Sequence, residues 1–266
     1  MASETAQAVH PREAAEQRAG SHAATAREYI ESLLVTVILA LFGTTFVVQA
    51  FKIPSQSMEP TLLVGDHLLV NKFIVGGHGA WYEPLLPYRE LSRGNIIIFK
   101  YPFDDHPHYV KRVIGMPRDH VKIVDQQVYV NGKRLNEPYA VHDPAASYEP
   151  FRDNFPPRGH EYLQAGIQPE WAEQMFQYIH DGELVVPPGK YFVMGDNREN
   201  SADSRYWGFV DRDAILGRPV VVYWSVQGTR DGSADQSFSG WFVSLLDTLL
   251  HLPSRTRWSR MFHEVH

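Results

Sequence analysis

The chain has 266 residues, enough for one or two domains with a sizeable core, and no cysteine, which excludes disulfides, thiolate catalysis and cysteine-ligated zinc. A formal net charge of −6 leaves no general basic footprint for nucleic acid. Eighteen prolines and 19 glycines among short β-branched runs predict a turn-rich, mostly β protein.

Residues 1–31 are rich in Ala, Glu and Gln, lack an apolar face and read as a flexible tail. Leu33 to Phe51 follows with 19 residues free of formal charge. At helical rise that run covers roughly 28 Å, about one bilayer hydrocarbon core. The expectation is a transmembrane helix over 32–51. A cleavable export signal competes with it, but its apolar region would be shorter and would follow a basic segment. Here three Arg precede the run against five Glu. Val48-Gln49-Ala50, with small residues at alternate positions, keeps the competing reading open.

Directly after the run comes Pro54-Ser55-Gln56-Ser57-Met58-Glu59-Pro60-Thr61-Leu62. Each proline fixes its own φ and pushes the residue before it toward extended geometry. An extended segment would put Ser55 and Ser57 on one face. Two hydroxyls so placed could serve as a nucleophile and an oxyanion donor; a Ser/Pro-rich linker is the alternative. Asp66 to Phe73 then reads as a strand, and Val75 to Leu91 as a loop carrying Trp81, Tyr82 and Tyr88. Ile96 to Phe99 is a short apolar strand. Asp104-Asp105-His106-Pro107-His108 crowds its ligand types around a proline without helical or hairpin spacing, so it reads as a solvated loop and not a metal site.

Tyr109 to Gly115 alternates, placing Val110, Arg112 and Ile114 on one face and Tyr109, Lys111 and Val113 on the other. Lys111 therefore lies among apolar side chains. A lysine so placed either reaches out to water or, if it cannot, loses part of its affinity for a proton. Val121 to Leu135 forms a hairpin ladder turning at Asn131-Gly132, whose residue types favour a type I′ turn. Within 139–185, Pro169 to Ile179 reads as a helix with Trp171, Met175, Tyr178 and Ile179 on one face. Lys190 to Met194 is a strand, and Gly195 to Phe209 a structured polar loop in which Asp203 and Arg205 can pair. Arg218 to Trp224 is a final strand. The tail carries a short apolar run from Trp241 to Leu246 that lies at an interface or covers a strand edge.

Four of these blocks, in order, resemble bacterial type I signal peptidase (leader peptidase), a membrane-bound serine protease with a Ser–Lys dyad. They are Pro54 to Leu62, Arg93-Gly94-Asn95-Ile96, Tyr109 to Gly115, and Gly195 to Arg205. The resemblance spans roughly residues 45–224 and implies a signal-peptidase-like β catalytic domain over 52–138 and 186–228. A small subdomain at 139–185 would interrupt it, with a tail at 229–266. It further implies Ser57 as nucleophile, Lys111 as general base, Ser55 as oxyanion donor beside the Ser57 N–H, and Ser201 as the hydroxyl that orients the amine. Asp203 and Arg205 would tie the loop. The chemistry is consistent with this, because a serine needs a base and a lysine can be one near neutral pH only when burial lowers its pKa. The implied reaction removes signal peptides with small residues before the cleavage site from translocated preproteins. It would run at the outer face of the cell (inner) membrane, on a single-pass anchor in the lipid bilayer, and would call for no metal, organic cofactor or nucleic acid. A dedicated pilus or conjugation-type peptidase with the same dyad, a self-cleaving repressor, and a non-catalytic membrane scaffold are the alternatives.

Overall fold

A computed structural model describes residues 27–41, 43, 48–72, 90–227 and 254–266. The chain divides into two compact units, Met1–Val47 and Val48–His266. In the first unit, helix α1 (27–41) leaves Leu33, Ile38, Leu39 and Leu41 exposed. An Arg27–Glu31 ion pair closes its first turn. Among the described residues no helix is long and apolar enough to cross a membrane.

The helix expected over 32–51 does not reach its far end. Val48–Lys52 is instead strand β1, paired antiparallel with β2 (Asp66–Asn71), Phe51 lying opposite Leu68. Val and Phe are good strand formers, the ladder satisfies their backbone groups, and Phe51 packs against the apolar core.

The second unit is built on two sheets. The larger has eight strands and runs β1, β2, β12 (Ile215–Ser225), β3 (Ile96–Tyr101), β4 (Asp104–Gly115), β10 (Lys190–Met194), β11 (Val210–Asp211), with β13 (His263–Glu264) added to β12. The smaller runs β7 (Lys133–Arg134), β6 (Gln127–Val130), β5 (His120–Val124), β9 (Glu183–Val185), β8 (Ile179–His180). The stretch 104–108, expected as a loop, opens β4: Asp104 pairs with Tyr101 and His108 with Lys100. The smaller sheet draws strands from both sides of residue 139, so the boundary expected there falls inside one sheet. Its turn at Asn131-Gly132 has φ of 51° and 74°, the left-handed pair a type I′ turn needs.

Three apolar clusters meet along β4. Ile114 packs with Phe151, Phe155, Trp171, Met175 and Phe192. Val113 and Tyr109 join Ile97, Phe99 and Trp207, while Val110 joins Ile53, Met58, Leu62 and Val222. The expected helix at 169–179 is α3 (Pro169–Gln174) followed by a 3₁₀ turn, Met175–Tyr178, and Ile179 already belongs to β8. α2 (Pro150–Asp153) and α4 (Ser204–Trp207) are two shorter helices of the same unit. The run Trp241 to Leu246 and the aromatics Trp81, Tyr82 and Tyr88 lie outside the described residues.

Candidate active site

The segment after β1 is not extended throughout. Ser55 is extended, at φ −130° and ψ 159°, but Gln56–Met58 forms a 3₁₀ turn. The turn still brings the two hydroxyls together, with Ser55 Oγ 3.4 Å from Ser57 Oγ. Met58 and Leu62 anchor it by burying their side chains with Ile53 and Leu68. Ser57 is 7 % exposed, so its hydroxyl stands at the floor of a cleft and not on a mobile linker.

Lys111 reaches this floor from β4. Its Nζ lies 2.5 Å from Ser57 Oγ, and the residue is 4 % exposed. The alternation read from the sequence is what buries it: the ammonium shares a face with Tyr109, whose ring centroid is 5.8 Å away. Burial in this dry setting lowers its pKa from 10.5 to about 8; Arg205 adds to the shift and Asp203 opposes it. A neutral amine at hydrogen-bonding distance from a serine hydroxyl can accept its proton. The cleft around both groups measures about 430 Å³ and is lined by Ile53, Met58, Tyr109, Val110, Asn200 and Ala202. A cavity of about 440 Å³ bounded by Gln126, Arg134, Glu137 and His142 contains no nucleophile and base pair.

The loop after β10 closes the site from the other side. Gly195 is required by close approach: a Cβ there would overlap both Ser201 Oγ and the Ser57 carbonyl oxygen. Asn197 N–H donates to that same carbonyl at 3.2 Å. Asp203 and Arg205 form the expected pair, with Arg205 Nε and Nη2 each donating to a carboxylate oxygen at 2.8 Å. Burial would raise the Asp203 carboxyl, but Arg205, Lys111 and the Gly195 N–H together hold the group below the ordinary carboxylate range. Asp203 also caps α4 and accepts from the Gly195 N–H, so one carboxylate ties both ends of the loop.

Ser57, Lys111 and Ser55 are therefore brought together as expected. Ser201 lies beside them and is buried, but its hydroxyl has no hydrogen-bond partner, and the bond expected from it to Lys111 is not formed. The pairings of five further residues escaped the reading of the sequence. Thr61 donates its hydroxyl to Asp196 at 2.6 Å, and Asp196 accepts Arg112 Nε and Nη2 at 2.8 and 2.7 Å. Arg198 donates to the Gly195 carbonyl and pairs with Glu137. Asp196 and Arg198 sit in the polar loop and Arg112 next to the lysine, but nothing local says which partner each one takes.

The family described as signal peptidase, peptidase S26, matches residues 26–224. The signal peptidase I of Pseudomonas fluorescens is 35 % identical over 214 residues, covering 74 % of this chain and 72 % of that protein. The signal peptidase I of Aquifex aeolicus (strain VF5) is 35 % identical over 228 residues, covering 75 % and 84 %. A signal peptidase I crystal structure from Enterococcus faecalis V583 aligns with 30 % identity and a TM-score of 0.36, covering 49 % of this chain and 97 % of that one. The chain belongs to the signal peptidase family of serine peptidases, peptidase S26.

Proposed function

We propose that Ser57 and Lys111 are the catalytic dyad of a membrane-bound endopeptidase that removes N-terminal signal peptides from translocated preproteins. One observation carries the assignment: a serine hydroxyl and a buried lysine amine lie 2.5 Å apart inside a cleft of about 430 Å³. Ser57 Oγ attacks the scissile carbonyl carbon while its proton passes to Lys111 Nζ. The resulting oxyanion is held by the Ser55 hydroxyl and the Ser57 N–H. Collapse breaks the C–N bond, and the leaving amine takes the proton from Lys111. Water then gives a proton to Lys111 and attacks the ester, and Ser57 regains its hydrogen. Ser201 is assigned to orienting the amine, since its buried hydroxyl is engaged by nothing else among the described residues.

Small residues before the scissile bond suit the cleft, and an extended segment presents alternate side chains to it. The exposed apolar side chains of α1 support membrane anchoring, and the outer-side position of the catalytic unit is inferred from the family resemblance alone. The test is to incubate the purified full chain in detergent with a preprotein bearing an Ala-x-Ala site. Cleavage after the last alanine is expected. Intact substrate, or cleavage elsewhere that persists in Ser57→Ala, overturns the assignment.

A further inference from the structure

Residues 254–266 form an arm that returns to the site. β13 hydrogen-bonds along β12, with Phe262 N–H donating to the Val222 carbonyl at 2.8 Å and Val265 N–H to the Val220 carbonyl at 3.0 Å. Val265 is buried in the same apolar cluster as Ile53, Met58 and Leu62, which flank the nucleophile. Arg260 Nη2 then spans two parts of the chain that follow Ser57. It donates to the Thr61 carbonyl at 2.9 Å and to Asp66 Oδ2 at 2.6 Å. Asp66 is fully buried and also accepts from Arg260 Nε at 3.2 Å, Ser225 Oγ at 2.6 Å and the Leu63 N–H at 2.9 Å. Arg257 holds the Val64 carbonyl through both terminal nitrogens at 3.1 Å.

These bonds close a ring. From the arm, Arg260 holds Thr61; the Thr61 hydroxyl holds Asp196; Asp196 holds Arg112; and Arg112 Nη1 returns to the arm at the His266 carbonyl, 3.1 Å away. Arg112 is the neighbour of Lys111 on β4, and Thr61 lies four residues beyond Ser57. The ring thus joins the carrier of the nucleophile to the carrier of the base, and its sole tie to the Thr61 carbonyl from the arm is one guanidinium among the described residues.

We propose that the arm is a clamp that sets the separation and the dryness of the Ser57–Lys111 pair, with Arg260 as its positioning residue. The inference rests on the dyad reading. Arg260 touches neither substrate nor the reacting atoms; it acts through the Thr61–Asp66 stretch. A fork of donors is needed to bridge a carbonyl and a carboxylate together, which one ammonium does poorly. Misplacing a reacting pair by about 1 Å can lower the rate on the order of a hundredfold.

The test compares the wild-type full chain in detergent with Arg260→Ala and Arg260→Lys, below the melting temperature of each, on one signal-peptide substrate. Ser57→Ala and Lys111→Ala run alongside. Expected for Arg260→Ala is a kcat lower by roughly ten- to a hundredfold with KM changed less than about threefold. Arg260→Lys should recover part of the loss. A loosened clamp admits water to Lys111, so the ascending limb of kcat/KM against pH should move upward in Arg260→Ala. A merely stabilising role lowers activity by the same factor at every pH and leaves the limb in place, and that result overturns the clamp, as does an unchanged kcat. If Arg260→Ala does not fold, Arg260→Lys carries the same pH test. Activity surviving in Ser57→Ala or Lys111→Ala would instead remove the dyad, whatever the Arg260 variants do.

Discussion

The cluster packed on the five-stranded sheet is apolar, holding Phe151, Phe155, Trp171, Met175, Leu184 and Phe192. A short distance along β4 and β10 the interior holds Lys111, Arg112, Asp196, Arg198, Asp203 and Arg205. Both regions are dry, but they solve different problems. In the charged region each buried arginine is matched with a carboxylate: Arg112 with Asp196, Arg198 with Glu137, Arg205 with Asp203. A guanidinium stays charged in any protein setting, so burying it demands a partner. Lys111 has no carboxylate at ion-pair distance among the described residues, and it is the one buried cation there that can relieve its situation by giving up a proton. The apolar region holds the fold together; the charged region leaves one amine unpaired on purpose of its chemistry.

The sharpest way to break this comparison is to alter the amine or its serine. Ser57→Ala and Lys111→Ala should each lower kcat by at least about 10⁴-fold, and the double variant should be little worse than either, because the two act as a unit. Losses that multiply would mean independent roles. Wild-type kcat/KM should climb with pH through about 8, where Lys111 sheds its proton. The linkage sign follows from the same shift. Between pH 8 and 10.5 the unfolded chain binds the Lys111 proton and the folded chain does not, so this group's burial penalty is largest below pH 8 and fades as pH rises. Lys111→Met should remove that rise from a melting-temperature series. An activity limb near pH 5 would place the base on another group.

The apolar side of the comparison is sharpened by Phe155→Ala, at a side chain 1 % exposed. It should destabilise the protein by about 3–5 kcal/mol while leaving kcat per folded molecule unchanged. Chemical denaturation read beside active-site-normalised rates tests this; a large kcat loss would show that the two regions are not separable. Within the site, a smaller loss than for the dyad is expected of Ser55→Ala, which should lower kcat by roughly 10²- to 10³-fold with KM nearly constant, as for one oxyanion donor. An unchanged kcat in steady-state assays would reduce Ser55 to a turn residue.

The residues legible in the sequence are those whose geometry is set by near neighbours. Ser55 and Ser57 meet because one short turn joins them, and Lys111 is buried because a strand alternates. The route differs from the extended case: Ser55 is extended, but a 3₁₀ turn over Gln56–Met58 makes the approach. β1 was hidden for another reason. An uncharged run reads alike in a membrane helix and in a strand, and only pairing with β2 decides between them. Asp66 and Arg260 were beyond reach, since 194 positions separate them and neither lies in a patterned motif. Ser201 shows a middle case: its place beside the site was legible, its hydrogen bond was not.

β12 lies between β2 and β3, pairing Arg218 with Asn71 on one side and Ile215 with Phe99 on the other. The hairpin that holds Ser57 and the hairpin carrying Lys111 are thus parts of one sheet, joined by a strand that begins at Ile215, well after the second hairpin ends at Gly115. Within the sheet, residues 215–225 supply the pairing that joins the strands on either side of Ser57 to the strand that carries Lys111. Such a late, long-range closure also makes for slow folding.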